Sequence, residues 1–179
     1  MSVDVEDSGI LQIIQNLQKR IEETENIVKT VEVENLHLTL RFLGELPQPA
    51  VKRIMDGLKS LSFKPFKIEF KGLGVFPNLS YVRVVWVGVG EGVDKLENLH
   101  SQINGVLKRL GFGVEEFSPH LTLARVKAIR NRPGLAKLLD EYRDVSFGYM
   151  DVTSVRVKKS ALTPKGPIYT TIMEVKAGP

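Results

Sequence analysis

One tetrapeptide occurs twice, as His37-Leu38-Thr39-Leu40 and as His120-Leu121-Thr122-Leu123, the copies lying 120 − 37 = 83 residues apart in a chain of 179. A separation near half the chain length is what duplication of one unit into two lobes produces. Each copy carries the period of two of a strand, so its leucines share one face and its His and Thr share the other. The leucines are core-facing. The His and Thr are then presented together on a second face, a wasteful place for polar groups if that face were also dry.

The rest of the chain supplies the helices and strands such a fold needs. Helices are expected over Ser8–Thr24, capped by Asp7 or Ser8; after Pro47-Gln48-Pro49; over Val93–Leu110, stopping at Gly111; and from Pro133 to Tyr142. Strands are expected at Thr30–Glu34, Leu36–Leu43, Phe66–Leu73, Tyr81–Val89, His120–Val126, Met150–Lys158 and Ile168–Val175. Neighbouring runs lie close enough for antiparallel pairing, so the class is α+β rather than a doubly wound parallel sheet. Val3 and Val5 flank Asp4 in strand fashion almost at the initiator Met, which is expected to be a shortened first strand, as a start placed too far downstream would leave.

Composition narrows the chemistry. With 42% hydrophobic residues the chain is that of a folded domain, and at this length one domain of two lobes, residues 1–179, is expected. No cysteine is present, which removes disulfides, thiolate metal sites and cysteine nucleophiles. The longest apolar stretches, such as Val82–Val89, are strand-sized, so no membrane span is expected; with no signal at the N-terminus, the expected location is cytoplasmic. The net charge, 25 − 21 = +4, suits an anionic substrate without demanding one.

Two His–Thr pairs facing each other across a cleft would form an acid–base device. Imidazole titrates near pH 6.5, so one copy can be neutral while the other is protonated. The threonine hydroxyls are donors suited to the non-bridging oxygens of a phosphate. The combination is the equipment for phosphodiester chemistry without a metal or other cofactor, and no HExxH-type or His-carboxylate spacing accompanies the pair. Two of the three histidines sit in the repeat; the third, His100, falls at the edge of a helical apolar stripe and reads as a boundary residue.

At these residues the sequence resembles the 2H phosphoesterase superfamily and, within it, the RNA 2′,3′-cyclic phosphodiesterases also called 2′-5′ RNA ligases. The resemblance runs through four blocks in order: Asn35–Gly44 with the first motif, Gly74–Asn78, Pro119–Arg125 with the second motif, and Leu162–Tyr169. It implies a bilobal, pseudo-symmetric α+β domain with two antiparallel sheets lining a central cleft and helices outside. It also implies roles: His37 as proton donor to the leaving 3′ oxygen, His120 as proton acceptor from water, and Thr39 and Thr122 on phosphate oxygens, giving a 2′-phosphate.

Arg125, two residues beyond Leu123, is assigned to the His120–Thr122 face as a phosphate clamp, and Arg41 stands in a like relation to Thr39; the alternative for both is a solvated surface charge. Phe76, in a Gly-rich, Pro-bounded loop, reads equally as core filler or, by family likeness, as a platform for the terminal base. Lys127, Arg130, Arg132, Arg156, Lys158, Lys159 and Lys165 are candidates to follow an RNA backbone at the cleft rim. The expected partner is RNA bearing a 2′,3′-cyclic phosphate end, taken by a monomer. Ligation through a 2′-5′ linkage at the same site, or RNA-end binding without turnover, are the alternatives.

Overall fold

The computed structural model describes residues 1–164 and 166–178, so Lys165 lies outside the described residues. The strands are β1 Ser2–Asp4, β2 Ile27–Thr30, β3 His37–Thr39, β4 Phe66–Asn78, β5 Tyr81–Val89, β6 His120–Ala128, β7 Ser146–Val152, β8 Ser154–Thr163 and β9 Gly166–Lys176. The helices are α1 Ser8–Glu22, α2 Gln48–Leu58, α3 Val93–Arg109 and α4 Arg132–Glu141. The α+β class therefore stands. The strands of both lobes form one hydrogen-bonded path, β7-β4-β5-β6-β3-β1-β8-β9, with β2 added alongside β6. The two sheets expected from the resemblance are thus joined, at the antiparallel pair Leu38↔Leu121.

Both leucines of that pair have no exposed surface, and they lie over a core that takes in Ile14, Ile21, Leu99 and Ile103 from the helices. Each helix buries the stripe its spacing defines: Ile10, Ile14, Leu17 and Ile21 on α1, for example. The Asp7 carboxylate accepts the Ile10 N–H at 2.9 Å and caps α1. Gly111 takes φ +90° after α3, a conformation glycine adopts without a Cβ penalty.

Several elements differ from expectation, each for a tertiary reason. Residues expected as strand Thr30–Glu34 divide into the end of β2 and a 3₁₀ turn, Val33–Asn35. β2 and β3 both pair antiparallel with β6, so the turn is an excursion in what would otherwise be one long strand. Buried Gln18 fills the interruption, its side-chain amide donating to the carbonyls of Val31 at 2.8 Å and Leu123 at 2.9 Å. The run expected over Leu36–Leu43 is strand only at His37–Thr39. Met150–Lys158 is broken at Thr153 into β7 and β8, and the loop expected around Phe76 is the second half of β4. The stub at Val3 is strand β1, held between β3 and β8.

Candidate active site

The pair Leu38↔Leu121 sets the geometry of the repeat. Antiparallel order puts His37 alongside Thr122 and Thr39 alongside His120, so the histidines occupy opposite corners of a square. Such diagonal neighbours have Cα atoms roughly 7–8 Å apart, enough to admit a phosphate between two imidazoles. Both rings are tethered alike: His37 Nδ1 lies 2.7 Å from the Asn35 carbonyl and His120 Nδ1 lies 2.7 Å from the Ser118 carbonyl. A carbonyl only accepts, so each Nδ1 carries the proton and each Nε2 is left for the cleft.

Arg125 reaches the same face by an irregularity. Counted strictly, strand alternation sends the residue three beyond Thr122 to the opposite side. Trp86 pairs with Thr122 but Val85 pairs with Ala124, so β6 carries one extra residue at Leu123, and the bulge returns Arg125 to the histidine face opposite Val84. Arg125 is exposed there.

Each histidine leans on an aromatic ring. His120 meets the edge of Phe76 at 4.9 Å between centroids, and Trp86 stands 5.0 Å from Phe76 and 6.3 Å from His120. Trp86 lies flat over β4 only because position 74 is glycine: a Cβ there would sit 2.3 Å from the indole. On the other side His37 meets Tyr169 edge-on at 5.3 Å. The Lys158 ammonium lies 5.8 Å from the Tyr169 centroid and 2.7 Å from Asp4, whose backbone pairs with His37. Burial holds the His37 imidazole below its ordinary pKa; the Asn35 carbonyl opposes this, and the Lys158 charge adds to it.

His37, Thr39, His120, Thr122, Arg125 and Phe76 thus share one face. Arg41 does not read as a solvated charge: it is 8% exposed, donates to the Gly113 carbonyl at 2.7 Å and pairs with Glu115 at 3.0 Å. It ties the exit of the first motif to the segment entering the second. His100 belongs to the same tie, stacked on Phe117 at 4.4 Å and 3.2 Å from Asn104, whose amide also donates to the Glu115 carbonyl. It is buried rather than at a boundary.

Arg156 also leaves the expected rim, because its guanidinium is engaged by Asp4 at 2.7 Å, Glu6 at 2.7 Å and Glu174 at 3.1 Å. Trp86, Asp4 and the contact between Tyr169 and His37 escaped sequence reasoning. For Trp86 the available signal was its place two residues before Gly88 on an alternating strand.

Among the described residues no group of three or more His, Asp or Glu side chains is placed to hold a metal ion, and no helix is long and apolar enough to cross a membrane. A duplicated His-x-Thr strand pair in a two-lobed α+β fold is the arrangement of the 2H phosphoesterases. The model of the family described as LigT-like phosphoesterase matches the chain twice, over residues 4–86 and 87–169, one motif in each.

The chain is 48% identical to an RNA 2′,3′-cyclic phosphodiesterase of Aeropyrum pernix over 90% of its own length and 93% of the relative's. It is 45% identical to the protein of that name from Archaeoglobus fulgidus, over 94% of each chain. Among solved structures, a protein of Thermus thermophilus superposes with a TM-score of 0.82 at 26% identity, covering 98% of this chain and 94% of that one. Escherichia coli LigT in its apo form superposes with a TM-score of 0.78 at 22% identity, with the same coverage, a likeness of fold. The chain belongs to the LigT-like phosphoesterase family.

Proposed function

We propose that this protein hydrolyses RNA 2′,3′-cyclic phosphate ends to 2′-phosphates as one bilobal unit, acting as a monomer in the cytoplasm without metal or cofactor. The two relatives named above are called RNA 2′,3′-cyclic phosphodiesterases. The observation that carries the reading is the diagonal pair of histidines, each with its Nδ1 engaged by a carbonyl, which leaves its Nε2 for proton transfer. His120 Nε2 accepts a proton from water as the water oxygen attacks phosphorus. His37 Nε2–H gives its proton to the 3′ oxygen as the P–O3′ bond breaks. Thr39, Thr122 and Arg125 hold the non-bridging oxygens, whose charge grows in the pentacoordinate state. After turnover His120 carries the proton and His37 lacks it, and exchange with solvent restores both.

Burial disfavours the imidazolium at His37. The phosphate anion supplies the counter-charge that favours it, so the acid is charged as the substrate enters. Phe76, backed by Trp86, forms the aromatic platform for the terminal base. Arg41 takes a positioning role through Gly113 and Glu115.

The test is incubation in EDTA with a nucleoside 2′,3′-cyclic phosphate and with a short RNA carrying the same end, the product being identified by chromatography. A 2′-phosphate is expected. A 3′-phosphate would reverse the leaving oxygen, joined RNA ends would favour ligation, and binding without product would favour an end-binding module.

A further inference from the structure

The histidine-bearing strand β6 runs on past Arg125 to Ala128. Val84↔Arg125 is the last pair between β5 and β6; past it the two strands splay, opening a wedge of about 330 Å³ between residues 80–83 and 126–129. At its edges stand Arg83 and Lys127, with Arg132 coming from the start of α4. Among the described residues, three cations line this wedge and no carboxylate does.

A second irregularity shapes it. Val84 pairs with Phe76 but Val82 pairs with Pro77, so β5 carries one extra residue at Arg83. Val82 consequently turns inward, 6% exposed, and Tyr81 turns to the cleft face, 56% exposed. The Arg83 guanidinium donates to the Tyr81 hydroxyl and lies 4.6 Å from the ring centroid, so a cation and an exposed aromatic ring stand side by side. Arg132 is fixed by donating to the Leu79 carbonyl at 3.0 Å. β6 carries a further extra residue at Lys127, since Ile27 pairs with Ala128 but Val28 with Val126, and Lys127 lines the wedge there, so Arg125 and Lys127 follow Thr122 along one strand.

From Thr122 to Lys127 that strand advances about 13–16 Å, the reach of about two nucleotide steps. A wedge with this charge and an exposed aromatic suits single-stranded nucleic acid, in which backbone phosphates meet Arg and Lys and bases stack on rings.

We infer that the wedge lined by Tyr81, Arg83, Lys127 and Arg132 binds the nucleotides on the 5′ side of the terminal one, making an oligoribonucleotide a better substrate than a cyclic mononucleotide. This rests on the hydrolytic reading above for the placement of the RNA end. The test has two arms, applied to the wild type, Arg83→Ala, and Arg83→Ala combined with Lys127→Ala. In one arm, fluorescence anisotropy measures the affinity of a labelled tetraribonucleotide ending in a 2′,3′-cyclic phosphate; in the other, kcat/KM is compared for that tetranucleotide and adenosine 2′,3′-cyclic phosphate.

The double variant is expected to bind the tetranucleotide about tenfold more weakly, with a shallower salt dependence, and to lose most of the wild type's preference for it. Unchanged affinity in the double variant, or an equal fall in kcat/KM for both substrates, overturns the inference. A tetranucleotide that binds through the wedge but is not hydrolysed supports the wedge and sinks the hydrolytic reading instead.

Discussion

At the scale of the residue, the two histidines are alike in tether and unlike in surroundings. His37 is held in its neutral form by burial, with the Lys158 charge adding to this, and His100 is held neutral by burial and by Arg41. Both have pKa values lowered below the ordinary 6.5, so between that value and their folded values the unfolded chain binds more protons than the native one. Their contribution to stability is therefore full above pH 6.5 and is lost as the pH falls through the folded values. The melting temperature should drop between pH 7.5 and pH 5.5, and His37→Gln should make the drop smaller; an identical drop in the variant would contradict the burial of a neutral His37. The motif residues were legible because their chemistry is written in a local pattern. The carbonyl tethers, the aromatic partners and the Asp4–Lys158 pair beside His37 were not, because they join residues whose proximity only the fold creates.

At the scale of the element, irregularities decide what reaches the site. The bulges at Arg83 and Leu123 each shift a strand by one residue, and sequence alternation cannot register them. Helices were legible to within a few residues because their apolar stripes repeat with the helical period. β2 and β3 were not, since their break is set by what β6 pairs with rather than by their own residues. Gly74 is a comparable case: its lack of a side chain is what seats Trp86.

Gly74→Ala should push the indole from its place, lowering kcat/KM by about tenfold through loss of the base platform and costing about 1–3 kcal/mol of stability. Gly105→Ala serves as the comparison, because a Cβ there meets nothing within 4 Å on α3; it should add about 0.5–1 kcal/mol. Denaturant unfolding and steady-state kinetics check both. An unimpaired Gly74→Ala would mean that Trp86 is not part of the working site.

At the scale of the whole molecule, the doubled family match and the pair Leu38↔Leu121 describe a pseudo-twofold fold whose halves meet at the motif strands. The halves have diverged in the walls they offer. Beside His120 the wall is aromatic, with Phe76 and Trp86; beside His37 it is Tyr169 backed by ion pairs of Asp4 with Lys158 and Arg156. We propose that the two histidines, set diagonally by the motif pair, work as one device.

The most direct measurement is turnover of a 2′,3′-cyclic phosphate end in EDTA by the wild type, His37→Ala, His120→Ala and the double variant. Each single change should cut kcat by about a thousandfold or more, and the double variant should be little worse than the poorer single one, as for residues that act as a unit. A single variant that keeps more than about a tenth of wild-type kcat, or losses that multiply in the double variant, would contradict the two-histidine account.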